Sequence, residues 1–138
     1  MSHLLFHGSA TWLPVGTVLR PSLDYEKRWG HTDFYRVLER YRPAQCLAHA
    51  ASVFLCDSDD VLDAAGGGAE WVFKVKPLEP VSGHDLNLSS GISAASSQGQ
   101  GEAVLAHLAR RYWAGSASED PLWEYLTCAA EIITVEAF

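Results

Sequence analysis

Apolar residues recur along this chain in short runs, a pattern typical of strands that are buried in a sheet. Runs of this kind predict strands at residues 4–7, 15–19, 50–56, 71–75, 122–126 and 131–138. The run from Trp71 leads to Pro77 and Pro80, and proline cannot donate a hydrogen bond to a strand ladder. We therefore expect the continuation of that strand to be an edge or a loop.

Helical spacing of apolar residues appears after Thr32 and Asp33, either of which is a suitable N-cap. The residues at positions i, i+3, i+4 and i+7 are Phe34, Val37, Leu38 and Tyr41. Pro43 is expected to end this helix. A second helix is predicted over residues 102–113, with an acidic residue in its first turn and basic residues near its end.

The remaining segments are predicted from composition and turn residues. A short helix is expected at residues 58–65, ended by the three glycines at 66–68. Residues 86–101 are rich in Ser, Gly, Asn and Gln and predict a mobile loop. Tyr25 and Trp29 are expected in another loop. Strands with interspersed helices indicate the α+β class.

Size and composition indicate one globular domain. The chain has 138 residues, of which 48% are hydrophobic and 20% are charged. This length is enough for one hydrophobic core and too short for two ordinary domains, so residues 1–138 are expected to form a single domain. No apolar stretch approaches the roughly 20 residues that span a bilayer, and the expected location is the cytoplasm.

The charge balance disfavours nucleic acid as a partner. The formal net charge is −7, whereas binding to a phosphate backbone requires clustered Lys and Arg. Basic residues nevertheless gather at Lys27, Arg28, Arg36, Arg40 and Arg42. One or two of them would suffice for the phosphates of a dinucleotide.

The three cysteines do not predict a disulfide framework or a metal site. They are Cys46, Cys56 and Cys128, an odd number. Cys46, His49 and Cys56 have the residue types of a zinc site, but a fourth ligand is missing. We expect buried, inert thiols and no bound metal.

The first predicted strand ends at His7 and is followed by Gly8 and Ser9. A strand of this kind presents an imidazole donor and an exposed backbone amide side by side. This pair suits a ligand that carries both a ribose hydroxyl and a carboxamide.

A carboxylate lies at the start of the strand pair near the C-terminus. Glu124 stands between Trp123 and Tyr125, and Glu131 begins the strand that follows the turn. Burial of a carboxylate among aromatic rings raises its pKa unless a hydroxyl or a cation stabilises the charge. This pair of strands is therefore the second candidate for chemistry.

Together these motifs resemble those of the ADP-ribosyltransferase superfamily, in the His-led branch that includes diphtheria-type toxins and poly-ADP-ribose polymerases. The resemblance implies a split β-core with flanking helices and an NAD cleft between its halves. It implies that Glu124 is the catalytic carboxylate, with Glu131 as second choice. It also implies that His7 hydrogen-bonds a ribose, that Gly8 offers its backbone to the nicotinamide carboxamide, and that Ser9 supports the strand end.

The second core strand of the family usually carries Ser-x-Ser or Tyr-Phe and forms the wall on which nicotinamide stacks. Here the matching segment contains Ser52, Phe54 and Ser58, so Phe54 fits the wall and either serine fits the carboxamide. The stacking tyrosine is absent from this segment. The candidates to replace it are Tyr25, Tyr35 and Tyr41. This departure puts efficient catalysis in question.

The resemblance implies a mono-ADP-ribosyltransferase that cleaves NAD, releases nicotinamide and modifies a macromolecular acceptor, expected to be a protein. Leu122 stands where arginine-modifying members carry Glu, so arginine is disfavoured as the acceptor. The alternatives are an NAD glycohydrolase toxin and a catalytically silent member of the same fold that acts as a binding or inhibitor module. NAD is the expected substrate in either enzymatic case.

Overall fold

The computed structural model describes residues 4–58 and 69–137. Within these ranges the strands are β1 (Leu5–Ser9), β2 (Val18–Leu19), β3 (Val53–Cys56), β4 (Trp71–Pro77), β5 (Ser82–Asp85), β6 (Trp123–Thr127) and β7 (Ala130–Ala137). The helices are α1 (Tyr25–Trp29), α2 (Asp33–Arg40), α3 (Leu86–Ser97) and α4 (Glu102–Trp113), and a 3-10 turn covers His49–Ala51. The predicted α+β class is confirmed.

The strands form one antiparallel sheet in the order β2-β7-β4-β1-β3-β6-β5 among the described residues. β1 pairs with β4 along its whole length, from Leu5 opposite Val75 to Ser9 opposite Trp71. On its other side, β1 shares only one registered pair with β3, Phe6 opposite Cys56. The sheet is therefore continuous but weakly joined between β1 and β3.

Two hydrophobic clusters are centred on different sets of elements. One cluster is formed by strand residues, and its buried members are Leu5, Leu19, Val53, Leu55, Phe73, Val75, Ala130 and Ile132. The other is formed mainly by helical residues that pack around Leu126, and its buried members are Val37, Leu38, Leu88, Ile92, Ala109, Tyr112, Trp113 and Leu126. Successive strand residues point to opposite faces, so each strand can contribute to both clusters.

This alternation explains why a carboxylate is buried in β6. Leu126 belongs to the helical cluster and Tyr125 packs against the strand cluster. Glu124 is two residues before Leu126 and shares its face, so its side chain faces the helices rather than solvent. The sequence pattern of β6 thus places an acidic group under α4.

Most of the expected strands are present. β1, β3, β4, β6 and β7 lie within or close to the predicted runs, and β4 extends to Pro77, which pairs with Ala130. The predicted strand at residues 15–19 shortens to Val18–Leu19. β5 was not predicted, because its sequence Ser-Gly-His-Asp lacks apolar residues.

The prediction of a mobile loop at residues 86–101 is wrong, since α3 occupies most of that range. Asp85 caps this helix by accepting a hydrogen bond from the backbone N–H of Asn87. Leu88, Ile92 and Ala95 recur at helical spacing and are buried against the other helices. The serines between them masked this periodicity, because Ser favours loops in composition yet is tolerated in a helix that tertiary packing stabilises.

The helix predicted after Thr32 is α2, which ends at Arg40, before Pro43. The helix predicted over residues 102–113 is α4. Tyr25 and Trp29, which were expected in a loop, begin and end the short helix α1. The helix and glycine turn predicted at residues 58–68 lie almost entirely outside the described residues. Among the helices that the structure describes, none has the length and apolar character needed to cross a membrane.

Candidate functional site

A cavity of about 900 Å³ opens beside the weak junction between β1 and β3. It is lined by strand residues on one side and by α1 and α3 on the other. The predicted site residues among its lining are His7, Gly8, Tyr25, Phe54 and Glu124. The structure therefore brings together five of the residues that the sequence motifs single out, from four separate parts of the chain.

A side-chain hydrogen bond from His7 joins β1 and β3 at the point where backbone pairing between the two strands stops. After the pair Phe6–Cys56, the His7 ring nitrogen Nδ1 lies 2.8 Å from the carbonyl oxygen of Phe54. A carbonyl only accepts, so Nδ1 carries the proton and donates to it. His7 thus bridges the two strands at the mouth of the cavity.

This hydrogen bond sets the role of the other His7 nitrogen. Burial lowers the pKa of His7, with the Phe54 carbonyl acting in the opposite direction, so the ring is neutral at physiological pH. With its proton on Nδ1, the neutral ring presents Nε2 as an acceptor. The sequence led us to expect an imidazole donor, whereas in the structure the His7 nitrogen without a proton accepts a hydrogen bond, which also suits a ribose hydroxyl.

The backbone of Gly8 faces the open side of β1. The carbonyl of Ser9 accepts a hydrogen bond from the Glu70 N–H, so it points toward β4. Backbone groups of consecutive strand residues point to opposite sides, and the N–H and C=O of Gly8 therefore point away from β4, to the side where β3 has diverged. An N–H and a C=O in this position match the two halves of a carboxamide.

An aromatic wall stands at the cavity. Tyr25 stacks on Phe54 with ring centroids 5.3 Å apart and planes 17° apart. Tyr35 packs behind Tyr25 at 5.6 Å, and the hydroxyl of Tyr41 donates to Glu102 on α4. Of the three tyrosines proposed from sequence, only Tyr25 lines the cavity in the described residues.

Glu124 lies at the inner end of the cavity, with 7% of its surface exposed. Burial raises the pKa of its carboxyl to about 7, against the opposite effect of a hydrogen bond from Tyr112. The Tyr112 hydroxyl donates to Oε2 over 2.7 Å and is itself fully buried. A carboxylate in this setting has few water molecules to compete with a positively charged ligand.

Two polar side chains continue from this hydrogen bond. The Tyr112 hydroxyl is 2.7 Å from Nε2 of His49, and Nδ1 of His49 is 3.2 Å from the Tyr25 hydroxyl. Burial lowers the pKa of His49 to about 3, with smaller contributions from His84 and Arg42. Tyr25 and Glu124, both at the cavity, are therefore joined by two buried groups, of which His49 also lines the cavity.

Other predicted residues are not brought to the cavity within the described part of the chain. The Ser9 hydroxyl donates to the Thr11 carbonyl, which fits the supporting role expected of it at the strand end. Ser52 is buried and donates to the Ala48 carbonyl. Glu131 is paired with Val18 on β2 and with Lys76 on β4, whereas Glu124 lies on β6 at the cavity. Of the two carboxylates, only Glu124 lines this cavity among the described residues.

The cavity also contains residues that sequence reasoning did not assign to a site. Ser89, Ser90 and Ser93 line it from α3, which had been predicted to be a loop. Lys27 and Arg28 line it from α1, and they were noted only as part of a diffuse basic group. Recognising helical periodicity in residues 86–97 would have revealed the serines, since positions 89, 90 and 93 share one side of a helix.

His84 and Asp85 have structural roles. The His84 ring stacks on Tyr112 at 4.7 Å and hydrogen-bonds the Tyr112 carbonyl. Asp85 accepts hydrogen bonds from the backbone N–H groups of Asn87, Ser118 and Leu122. Together they fix α4 and the segment before β6, and so they fix the position of Glu124.

No group of three or more His, Cys, Asp or Glu side chains suited to a metal ion occurs in residues 4–58 and 69–137. Both ring nitrogens of His49 are engaged by tyrosine hydroxyls, so this residue is not free to bind zinc together with Cys46. Cys46 lies with its Sγ 3.9 Å from the Trp113 carbonyl.

A scan against protein-family models and a search of curated proteins each found no match to this chain. The function proposed below therefore depends on the geometry of the cavity and on the resemblance of its motifs.

Proposed function

We propose that this chain is a mono-ADP-ribosyltransferase that uses NAD as its substrate and transfers ADP-ribose to a macromolecular acceptor. One observation carries the proposal. His7, Gly8, Tyr25, Phe54 and Glu124, which the motifs single out, line a single cavity of about 900 Å³. This volume lies within the range of small-molecule and cofactor sites, roughly 300–1,000 Å³.

The nicotinamide end of NAD fits the part of the cavity between β1 and the aromatic wall. The carboxamide would pair with the N–H and C=O of Gly8, and the ring would pack against Tyr25, which stacks on Phe54. Nε2 of His7 would accept a hydrogen bond from a ribose hydroxyl. Each of these contacts uses a group whose donor or acceptor character the fold determines.

The diphosphate fits the side of the cavity formed by α1 and α3. Lys27 and Arg28 supply positive charge there on a protein whose formal net charge is −7. Ser90 and Ser93 supply hydroxyl donors from the facing helix. Cations and hydroxyls are the groups that proteins use to bind phosphate oxygens.

The reaction would break the bond between nicotinamide nitrogen and ribose C1′, and the bonding electrons would leave with nicotinamide. Positive charge then develops on the ribose, and the ionised carboxylate of Glu124 would stabilise it and hold the 2′-hydroxyl. The acceptor nucleophile bonds to C1′ and loses its proton to solvent. The products are the ADP-ribosylated acceptor, nicotinamide and one proton.

A protein is the favoured acceptor, because the acidic chain disfavours nucleic acid. Leu122, two residues before Glu124, replaces the acidic residue that arginine-modifying members of the superfamily carry. The proposed acceptor residue is therefore not arginine.

The test is release of nicotinamide from NAD by the purified chain, with and without a cell lysate. Glu124→Gln should abolish release, whereas Glu131→Gln, a matched loss of a carboxylate on β7, should leave it intact. Label from NAD that becomes attached to lysate protein identifies a transferase. Release without attachment identifies a glycohydrolase. Binding of NAD with no release under either condition would contradict the enzymatic proposal and identify a binding module.

A further inference from the structure

A series of side-chain hydrogen bonds connects Glu124 to Tyr25, and one of its members, His49, also lines the cavity. The connection runs from Glu124 to Tyr112, then to His49, then to Tyr25, with distances of 2.7, 2.7 and 3.2 Å. His49 and Tyr112 are 63 residues apart in sequence, and both are almost completely buried. We call these four residues the Glu124–Tyr25 hydrogen-bond chain.

Proton counting fixes the direction of this chain when Glu124 is ionised. A carboxylate can only accept, so the single hydroxyl proton of Tyr112 goes to Glu124. The Tyr112 oxygen must then accept from Nε2–H of His49. Because His49 is neutral, its Nδ1 has no proton and accepts from the Tyr25 hydroxyl.

Protonation of Glu124 permits the reverse direction. The carboxylic acid can donate to the Tyr112 oxygen, the Tyr112 hydroxyl can donate to Nε2 of His49, and Nδ1–H can donate to Tyr25. Both directions satisfy every hydrogen bond with the same heavy-atom positions. Ionised Glu124 therefore fixes His49 in the Nε2–H tautomer, whereas protonated Glu124 also allows the Nδ1–H tautomer.

The chain carries this difference to the cavity. With Glu124 ionised, Tyr25 directs its hydroxyl proton inward and presents only oxygen lone pairs to a ligand. In the reverse direction, which protonated Glu124 allows, the Tyr25 oxygen accepts a hydrogen bond from His49. The Tyr25 hydroxyl proton can then be donated to a ligand in the cavity. The hydroxyl that lines the cavity thus changes from acceptor to donor together with Glu124.

We propose that Tyr112 and His49 are positioning residues that orient the Glu124 carboxylate, favour its ionised form through the Tyr112 hydroxyl, and couple its protonation to the hydrogen-bonding role of Tyr25. The kinetic part of this inference rests on the proposed function, whereas the coupling between Glu124 and His49 does not.

Several other ionisable groups surround the chain. His84 on β5 and Cys56 on β3 are the register partners of Glu124 on the two strands adjacent to β6. His84 is held by the Ser82 hydroxyl and the Tyr112 carbonyl, and burial lowers its pKa, so it stays neutral. Other ionisable groups act on individual members of this series or line the cavity, and they are Arg42 near His49, Glu39 and Tyr35 near Tyr25, Cys46 near Tyr112, and His7, Asp24, Lys27 and Arg28 at the cavity. In the described residues, none of these groups adds a side-chain hydrogen bond to the series from Glu124 to Tyr25.

The first test does not require activity. In a protein labelled with ¹⁵N at histidine, the shifts of Nδ1 and Nε2 report which nitrogen carries the proton. We expect His49 to change from the Nε2–H tautomer above about pH 7 to the Nδ1–H tautomer below it, with Glu124 titrating at the same pH. In Glu124→Gln that pH-dependent change should disappear. A His49 tautomer that does not respond to pH, or that responds equally in Glu124→Gln, would overturn the proposal.

The second test is the pH profile of nicotinamide release. Tyr112→Phe removes the donor to the carboxylate, so the acidic limb should move up by about one pH unit or more, as expected for a hydrogen bond to a charged group. Tyr41→Phe is the matched control, because it removes a hydroxyl that donates to Glu102 away from the cavity. The control profile should not move. A uniform loss of rate with an unchanged profile in Tyr112→Phe would show a merely structural role and overturn the positioning role.

His49→Gln provides an independent variant, since an amide can donate to Tyr112 and accept from Tyr25 without titrating. It should retain more activity at high pH than His49→Leu. Equal activity in the two variants would contradict a role for the Glu124–Tyr25 hydrogen-bond chain. If NAD is not cleaved at any pH, the proposed function fails, while the ¹⁵N experiment still decides whether Glu124 and His49 are coupled.

Discussion

Replacement of Glu124 by Gln should change how the stability of the fold depends on pH. Burial raises the pKa of this carboxyl from 4.5 to about 7, so the folded chain holds a proton that the unfolded chain has already lost in that interval. Because the native state binds more protons than the unfolded state, the free energy of unfolding falls as pH rises from about 4.5 to 7. Gln cannot ionise and does not have this dependence.

The magnitude follows from the size of the pKa shift. An increase from 4.5 to about 7 corresponds to about 3 kcal/mol, at 1.36 kcal/mol for each unit. The Tyr112 hydroxyl can still donate to the amide oxygen of Gln, so the fold keeps this contact. The free energy of unfolding of Glu124→Gln minus that of wild type should increase by about 3 kcal/mol from pH 4 to pH 8. A constant offset from the amide group does not change this increase.

Chemical denaturation of both proteins at several pH values measures this difference. Glu102→Gln is a control of opposite sign, because hydrogen bonds from Tyr41 and Arg40 lower the pKa of Glu102. That carboxylate adds stability that is present above its unfolded pKa and lost as pH falls. Parallel stability curves for wild type and Glu124→Gln would contradict this expectation, since they would mean that burial does not raise the pKa of Glu124.

Three further outcomes are expected. Nicotinamide release should increase with pH through about 7 and level off above it, because catalysis requires the ionised carboxylate of Glu124; a rate that is flat from pH 5 to pH 8 would contradict this role. Lys27→Gln and Arg28→Gln should raise the KM for NAD by about tenfold each with a smaller effect on kcat, whereas Arg110→Gln, which removes a cation that lies over Tyr41, should not change KM. Ile92→Ala should lower the free energy of unfolding by about 2–5 kcal/mol, because Ile92 is fully buried in α3, and Val104→Ala at an exposed position of α4 should cost less than about 1 kcal/mol; equal small effects would contradict the packing of α3.

The parts of the fold that were predicted correctly have strong local patterns. β1, β6 and β7 have runs of apolar or alternating residues, and α2 and α4 have helical spacing with suitable ends. The helix α3 lacks these signals, because its interior contains serines and a glycine, and its burial depends on contacts with α2 and α4. Local propensity could not show those contacts.

The candidate site was predicted only in part for a related reason. Glu124, His7, Gly8 and Phe54 lie in short motifs that can be recognised in sequence. The acceptor role of His7 follows from a hydrogen bond to Phe54, 47 residues away. The Glu124–Tyr25 hydrogen-bond chain depends on side chains from distant segments of the sequence. Such tautomers and hydrogen-bond directions are set by tertiary contacts, which no local pattern specifies.

The proposed function requires that the cavity binds NAD and that Glu124 is needed to cleave it. The most direct measurement follows NAD and free nicotinamide by ¹H NMR in one sample, for the wild-type chain and for Glu124→Gln at pH 8. We expect both proteins to bind NAD and only the wild type to release nicotinamide. Equal release by both proteins, or no binding of NAD by the folded wild-type chain at millimolar concentration, would contradict it.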